Sequence, residues 1–299
     1  MVLCLSYRGH APELTTKCFV KETNAYILCG IFDGQNGVEA AAFANHFLQS
    51  YLKHNLKKLD LEKFSLDCQD KIQKLLENAF ESCQQQMLIS KERSAFVHSC
   101  CTACIALKVG KKVFIANCGD TLAFAVNRGG DFRCISVSHT LQNPLEKIGI
   151  IESGGWYSNG LICDKSHVTR ALGNLWQVRT LKWHKTNNLY QYDRDMQDWN
   201  LSRLASLLRE APPAWSINPR PSVTSIELGP DDCFICIQTA GMIKLLQNES
   251  NFLWEKTAEK ALSRLIQSRG QTMKIKNASI ISLDVTDNSN SSKENLKDD

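Results

Sequence analysis

Two aspartates in this sequence follow segments that can hold the aspartate carboxylate in place for chemistry. Asp33 comes after the apolar run from Tyr26 to Phe32, and the glycine that follows it, Gly34, permits a turn. Asp120 ends the segment Ala116-Asn-Cys-Gly-Asp. Carboxylate oxygens suit hard divalent cations, and a pair of such cations activates water for the hydrolysis of phosphate esters. The residues that accompany these aspartates therefore decide whether this chemistry is available.

Five short segments, in order over about 250 residues, carry a family resemblance. They are Gly30-Ile-Phe-Asp33-Gly34-Gln35-Asn36-Gly37, Ala116-Asn-Cys-Gly-Asp120-Thr121, Thr169-Arg170-Ala-Leu-Gly173-Asn174, Gln238-Thr-Ala240-Gly241-Met242 and Lys276-Asn277-Ala-Ser279. Their order and separation resemble the metal-dependent serine/threonine phosphatases of type 2C, the PPM family. The corresponding family patterns are FDGHGG, ANxGDS, SRALGD, LACDGLWD and DNxT/S.

The resemblance implies a small set of residual binding residues. In the family the aspartate of FDG bridges two metal ions and the next glycine contributes its carbonyl, which points to Asp33 and Gly34 here. Asp120 matches a family aspartate associated with a third, weaker metal. A weak match to the N-terminal RxxxED pattern implies Arg8 as a phosphate-binding residue.

The resemblance fails at the positions that carry the chemistry. Ala240 and Lys276 stand where two metal-binding aspartates are expected, which changes the local charge by about +3. Gln35 replaces a histidine that looks like the general acid for the leaving alcohol, and Asn174 replaces the last aspartate of SRALGD. We therefore expect no catalytic residues and no cofactor, with Mn²⁺ or Mg²⁺ needed only if residual activity exists. Lys276 either pairs with Asp33 in place of a metal or points to solvent.

Apolar periodicity indicates the class of fold. It predicts helices over residues 38–56, 67–88 and 253–267, and strands over 26–32, 100–109, 113–117, 122–127, 133–137, 223–228, 233–238 and 278–285. A strand and two helices followed by many antiparallel strands favour an α+β fold. The resemblance sharpens this to a four-layer α/β/β/α sandwich, in which helix pairs flank two packed antiparallel sheets and the site lies at one end.

We expect one phosphatase-like domain over residues 1–285 and a disordered polar tail over 286–299. An insertion near 187–215, on the flap side of the site, contains a predicted helix with leucines on one face: Leu201, Leu204, Leu207 and Leu208. This helix either packs on the body of the domain or docks a partner. On the second interpretation the partner-binding residues are Trp199, Leu204 and Leu208.

Composition excludes several classes of protein. The net charge of +4 is spread along the chain, so neither nucleic acid nor a membrane surface is an expected partner. The N-terminal apolar run is too short for a signal peptide, and we expect an intracellular protein, cytoplasmic or nuclear.

Thirteen cysteines, an odd number lying largely within apolar runs, predict buried free thiols. The pairs Cys101/Cys104 and Cys233/Cys236 lie in strand-like sequence, where residues three apart face opposite ways, which argues against zinc.

The leading functional hypothesis is a catalytically inactive or severely impaired PPM-type phosphatase-like domain. It acts as an adaptor or regulator by binding another protein, such as a kinase or a phosphoprotein. The alternative is a Mn²⁺- or Mg²⁺-dependent protein serine/threonine phosphatase with an altered active site.

Overall fold

The structure, a computed structural model, describes residues 2–8, 15–61, 64–153, 155–163, 166–175, 217–246 and 277–285. Of residues 2–8, 244–246 and 277–278 only the backbone is described. The predicted helix over 253–267, the insertion near 187–215, the polar tail and Lys276 lie outside the described residues.

Two antiparallel sheets form the body of the fold. The first has the strand order β11-β5-β4-β3-β2, where β2 is Lys17–Glu22, β3 Ile27–Gln35, β4 Cys100–Val109, β5 Lys112–Cys118 and β11 Ser222–Glu227. The second has the order β1-β13-β12-β6-β7, where β1 is Val2–Arg8, β6 Leu122–Asn127, β7 Phe132–Cys134, β12 Asp232–Gln238 and β13 Asn277–Asp284. Every pairing within these two orders is antiparallel.

Two long helices cover the first sheet: α1 is Glu39–Leu56 and α2 is Leu66–Ile89. The α2 helix begins where the Ser65 side chain accepts a hydrogen bond from the Cys68 N–H, an N-cap that satisfies a backbone donor without an intrahelical partner. Both helices place an apolar face on the sheet, with Leu48, Leu52 and Phe80 fully buried. The predictions of these two helices are confirmed within two residues at each end.

Alternation along the strands divides the core in two. On β3, Leu28 and Phe32 face the helices, whereas Cys29 and Ile31 face the second sheet. On β4, Cys101 belongs to the helix side and Cys104 to the layer between the sheets. The two thiols of this pair therefore point to opposite faces, as the sequence predicted. The described cysteines are free.

Smaller elements complete the fold around the end of the sandwich. They are α3 at Pro144–Glu152, the hairpin strands β8 at Tyr157–Ser158 and β9 at Leu161–Ile162, β10 at Leu172–Gly173 and α4 at Ala240–Leu246. A 3₁₀ helix, Arg93–Phe96, follows α2. The α4 helix contacts β12 and β13 of the second sheet. The mixed architecture, with antiparallel sheets and flanking helices, agrees with the predicted four-layer sandwich.

The sequence reasoning missed β1, β2, α3 and α4 and placed one turn wrongly. The β3 strand continues through Asp33 and Gly34 to Gln35, and the turn follows at Asn36 and Gly37, both of which have positive φ. Pairing with β4 extends this strand, because Asp33, Gly34 and Gln35 lie opposite Thr102, Cys101 and Cys100. A glycine that looked like a turn former therefore lies within a strand. The predicted strand over 133–137 is confirmed only as the shorter β7.

A buried glutamine joins the helix layer to β10. The Gln84 side chain of α2 donates to the Gly173 carbonyl and accepts from the Gly173 N–H, both at 2.8 Å. Gly173 has a φ of 89°, and a Cβ there would lie 2.5 Å from the Ser99 carbonyl oxygen. Both the backbone conformation and the close approach of Ser99 therefore require glycine.

We predict that Gly173→Ala lowers the free energy of unfolding by about 2 to 3 kcal/mol, because the added methyl group meets backbone atoms that cannot move aside. Urea denaturation followed by circular dichroism measures this change. Gly149→Ala in α3 is the matched control. A Cβ at Gly149 has no atom within 4 Å, so alanine there should leave stability unchanged or raise it by up to about 1 kcal/mol. Equal effects of the two substitutions would contradict the proposed steric role of Gly173.

Candidate functional site

The strand directions bring the predicted site residues to one end of the sandwich. The β3 and β5 strands both end there because each is antiparallel to β4, which begins there. In the second sheet β6 begins at this end, so its antiparallel neighbour β12 ends there. The β13 strand begins and β1 ends at the same place, since Arg8 pairs with Asn277. Residues far apart in sequence thus share one edge.

Two threonines link the sheets at this edge. Asp33 lies opposite Thr102 in the β3–β4 ladder, and the Thr102 hydroxyl lies 2.9 Å from that of Thr121, both residues being fully buried. Leu122, the next residue, pairs with Gln238, two residues before Ala240. This contact joins the chain around Asp33 to the loop around Asp120 and then to the start of α4.

The Asp33 carboxylate is held by a neighbouring hydroxyl. Thr16, which is buried, donates a hydrogen bond from Oγ1 to Asp33 Oδ1 at 3.0 Å. The pKa of Asp33 is raised to about 7. Desolvation is the main cause, the hydrogen bond from Thr16 opposes the rise, and the negative charge of Asp120 adds to it. The two aspartates are therefore close enough for their charges to interact.

The loop that carries Asp120 is fixed on both sides of Gly119. The Gly119 N–H donates to His139 Nδ1 at 3.1 Å, while its carbonyl accepts from Asn117 Nδ2 at 3.1 Å. Because Nδ1 accepts a hydrogen bond, the neutral imidazole carries its proton on Nε2, which lies 2.8 Å from Ser222 Oγ. The backbone before Asp120 is thus positioned by a neutral, fully buried histidine.

An ion pair lies near this histidine. Arg170 donates from Nε and Nη2 to the two carboxylate oxygens of Glu146 in α3, the shortest distance being 2.7 Å. Thr169 Oγ1 donates to the same carboxylate at 2.6 Å. Desolvation alone would raise the pKa of Glu146, but the hydrogen bonds and charge of Arg170 lower it below its ordinary value, aided by Thr169. Arg170 belongs to the family segment over residues 169–174. Its ion pair therefore links the chain just before β10 to α3.

Burial and this ion pair act together on His139. Desolvation lowers the pKa of His139 to about 4, and the positive charge of Arg170 lowers it further against the opposing charge of Glu146. His139 is consequently neutral over the physiological range, which is the form that can accept the Gly119 hydrogen bond.

Gln35 and Asn174 lie together beside Cys100. The Cys100 thiol donates to Gln35 Oε1 at 3.9 Å, and the Asn174 N–H donates to the Ser99 carbonyl at 3.1 Å. Burial raises the pKa of Cys100 to about 12; a hydrogen bond with Asn174 lowers it, and the charge of Asp33 raises it. A thiol with this pKa is not a nucleophile at neutral pH, and the N–H protons of the glutamine amide are far too weakly acidic to be transferred. This group offers no general acid.

Ala240 is the first residue of α4. Thr239 precedes it, and the Thr239 hydroxyl accepts hydrogen bonds from the N–H groups of Met242 and Ser279. The position that the resemblance assigns to a metal-binding aspartate thus begins a capped helix and offers a methyl group. The described oxygen donors are the carboxylates of Asp33 and Asp120, and they do not fit a two-metal centre. Among the residues that the structure describes, no three His, Cys, Asp or Glu side chains are grouped as metal ligands.

Gly34 has a structural explanation that does not involve a metal. A Cβ at this position would lie 2.8 Å from the carbonyl oxygens of both Thr15 and Gly37. Glycine is therefore required by the close approach of two backbone segments. Its presence in the segment does not by itself indicate a ligand.

The structure places most of the predicted residues at this edge, but not all. Arg8 is placed there by its backbone alone, and Lys276, Trp199, Leu204 and Leu208 lie outside the described residues. The functional roles predicted for all of the site residues, including those placed at the edge, stay predictions. Sequence reasoning missed Thr16, His139 and Glu146. Asn143 followed by Pro144 is an N-terminal helix signal that could have revealed α3 and hence Glu146. We find no comparable sequence signal for Thr16 or His139.

Comparison with known proteins agrees with the fold and the recognised segments. The model of the protein phosphatase 2C family matches residues 7–252, which is most of the chain. The chain therefore belongs to the protein phosphatase 2C family. It is 34% identical over 152 residues to probable protein phosphatase 2C 6 of Paramecium tetraurelia, a match that covers 50% of each chain. It is 27% identical over 231 residues to probable protein phosphatase 2C 79 of Arabidopsis thaliana, covering 74% of this chain and 56% of that relative. The chain thus spans little more than half the length of these relatives.

Solved structures show the same fold at low sequence identity. The serine-threonine phosphatase 2C of Toxoplasma gondii superimposes with a TM-score of 0.64 at 15% identity, covering 94% of this chain and 93% of that one. A sex-determining protein of C. elegans superimposes with a TM-score of 0.66 at 16% identity, covering 94% of this chain and 64% of that one. Within the described residues, no helix has the length and apolar character needed to cross a membrane.

We predict that His139 contributes to acid destabilisation. Because its folded pKa of about 4 lies below its unfolded pKa near 6.5, the neutral histidine stabilises the fold above about pH 6.5, and this stability is lost as the pH falls towards 4. His139→Gln should be less stable at pH 7 but should lose about 2 kcal/mol less between pH 7 and 4.5. Urea denaturation at a series of pH values provides the measurement.

The matched control is His167→Gln, at an exposed histidine. This variant should follow the pH dependence of the parent chain. If His139→Gln shows the same decline in stability as the parent, the assignment of the pH dependence to His139 is wrong.

Proposed function

We propose that this chain is a catalytically inactive or severely impaired phosphatase-like domain that acts by binding another protein. The observation that carries the proposal is Ala240, which places a methyl group at the edge shared by Asp33 and Asp120. Two carboxylates alone do not offset the charge of two divalent cations. Lys276, directly before β13 in the sequence, brings a positive charge to a position where the resemblance expects a metal-binding aspartate. At an effective dielectric of about 20, a cation within ~5 Å of a divalent ion costs several kcal/mol.

The surroundings of Gln35 support the same conclusion. Its amide lies beside the Cys100 thiol, whose pKa is raised to about 12, so neither group can protonate a leaving alcohol at neutral pH. Gly34 and Gly173 are explained by close backbone contacts. These two retained glycines of the recognised segments are therefore required by the fold, so their presence does not indicate a working catalytic site.

We propose that the partner is another protein, such as a kinase or a phosphoprotein, and that no metal cofactor is required. The proposed partner residues are Trp199, Leu204 and Leu208 of the insertion, an aromatic group with two leucines of the kind found at the centre of binding interfaces. Replacing Leu204 and Leu208 with aspartate should abolish capture of the partner while circular dichroism shows that the domain stays folded.

A second candidate function is a Mn²⁺- or Mg²⁺-dependent protein serine/threonine phosphatase with an altered active site. The interaction between the Asp33 and Asp120 charges favours it, because two neighbouring carboxylates can hold one divalent ion. The names of the matched relatives, which are those of phosphatases, favour it as well. The two candidates differ in whether turnover depends on metal and on Asp33.

We predict that the purified chain shows no metal-dependent hydrolysis of p-nitrophenyl phosphate or phosphopeptides, since the donor set and the general acid are incomplete. Release of nitrophenol and of phosphate, with and without Mn²⁺ or Mg²⁺, measures this. An active member of the family assayed in parallel is the positive control. Turnover that needs Mn²⁺ and disappears in Asp33→Asn would establish the second candidate function instead.

A linked prediction concerns restoration of the missing carboxylates. The double variant Ala240→Asp with Lys276→Asp should bind Mn²⁺ at least about tenfold more tightly than the parent, because it changes the local charge by about −3. Isothermal titration calorimetry gives the affinity. The matched control places asparagine at both positions, which keeps the shape of aspartate but changes the local charge by only about −1, and it should give a clearly smaller gain. Equal affinities for the two double variants would show that lost charge is not what prevents metal binding.

A further inference from the structure

The outward surface of α3 and of the hairpin after it is apolar. Of the seven large apolar side chains that are exposed in the described part of the chain, five lie between residues 145 and 157. They are Leu145 (75% exposed), Ile148 (53%), Ile151 (58%), Trp156 (41%) and Tyr157 (40%). We call these five residues the α3 patch. Clustering of this kind is typical of a surface that another segment or molecule covers.

The fold already covers the inner side of α3. On that side Glu146 is buried in its ion pair with Arg170, and Ile150 packs in a small cluster with Ile162, Val168, Ala171 and Ile217. A surface helix normally presents polar residues to solvent, so the exposed apolar side chains on the outer side indicate that this side is covered as well. The described residues cover only the inner side of α3.

The segment over residues 176–216 is attached to the fold beside this helix. Ile217, the first described residue after the segment, packs in the same cluster as Ile150 of α3. Arg170 forms a parallel bridge with Asn218 and also binds Glu146 of α3. Leu175, which precedes the segment, is buried in the separate core cluster that α1 and α2 form with the first sheet. The segment therefore re-enters the described fold, at Ile217, near the inner side of α3.

We propose that the segment over residues 176–216 docks on the α3 patch through the apolar face formed by Leu201, Leu204, Leu207 and Leu208. The two surfaces match in character, since the leucine face is apolar by sequence and the α3 patch exposes apolar side chains that no described residue covers. The attachment point at Ile217 lies beside α3, so tethering gives the leucine face an effective concentration in the millimolar range at the patch. The loss of chain entropy on closing this connection grows only slowly with the length of the chain.

A second copy of the chain is a weaker occupant of the α3 patch. A stable interface between two molecules buries about 800 Å² on each partner. Five partly exposed side chains, three of them aliphatic, form a patch smaller than this. A docked segment of the same chain needs less area, because it loses no translational freedom on binding.

The docking does not depend on the adaptor function proposed above, but it refines the roles of the residues involved. In the predicted helix, Trp199 lies on the side opposite Leu204 and Leu208. Docking of the leucines on the α3 patch leaves Trp199 accessible to a partner. Leu204 and Leu208 then contribute to partner binding by holding the segment in place.

Site-specific photo-crosslinking on the full chain tests the proposal. A benzophenone side chain replaces Ile148 in the patch, and crosslinked peptides are identified by mass spectrometry. The proposal expects crosslinks within one monomer to residues 198–210. The matched control places the benzophenone at Leu66, an exposed apolar residue at the start of α2, and should not crosslink to that segment. Covalent dimers formed through position 148, or crosslinks only to other parts of the chain, overturn the proposal.

Hydrogen exchange gives an independent measurement. Ile148→Glu with Ile151→Glu should reduce the amide protection of residues 199–210 by about tenfold or more and leave β3 and β4 unchanged, because a charged patch cannot hold the leucine face. Leu66→Glu should have no effect on either region. Unprotected amides over 199–210 in the parent chain, or equal protection in the parent and the patch variant, contradict the docking. Partner capture is not needed for either experiment, so their failure leaves the proposed adaptor function to its own test.

Discussion

The antiparallel pairing of β3 with β4 is the constraint on which the arrangement of the site depends. It carries Asp33, Gly34 and Gln35 past the point where a turn was expected and fixes each opposite a residue of β4. Alternation then sends Asp33 to the layer between the sheets and Gly34 towards the helices. Because Thr102 opposite Asp33 contacts Thr121, the same ladder also determines where the Asp120 loop lies. One register thus connects both carboxylates.

Behind this edge, a buried polar network positions the loop between the sheets. Arg170 binds Glu146 through two nitrogens, and the neighbouring histidine is kept neutral, so that its ring accepts from Gly119. Breaking such a buried pair is costly, because the remaining charge has no partner in a poorly solvated environment. The arginine of a family segment therefore has a structural task here: it ties β10 and α3 together. This task does not require a phosphate or a metal.

In the recognised segments, the fold and the chemistry proposed to be lost depend on different atoms. Gly34 and Gly173 lie where a side chain would meet backbone carbonyls, and substitution there disturbs packing. Ala240 and Gln35 occupy positions where the backbone is satisfied by Thr239 and by the β4 ladder, so their side chains can vary without loss of the sandwich. A domain can therefore keep its architecture and its binding surfaces while the proposed metal site degenerates.

The sequence by itself determined the two long helices, most of the central strands, the free cysteines and the identity of the residues at the expected ligand positions. Strong periodicity and apolar runs report burial directly, and a missing carboxylate is visible without any structure. Short elements such as α3 and α4 escaped, because a helix of seven to nine residues has too few turns to show a period.

Only the tertiary structure decided that Thr16 binds Asp33, that His139 holds the loop before Asp120 and that α3 exposes apolar side chains. Each of these depends on residues far apart in sequence whose proximity comes from strand register and layer packing. Local sequence patterns do not encode that proximity.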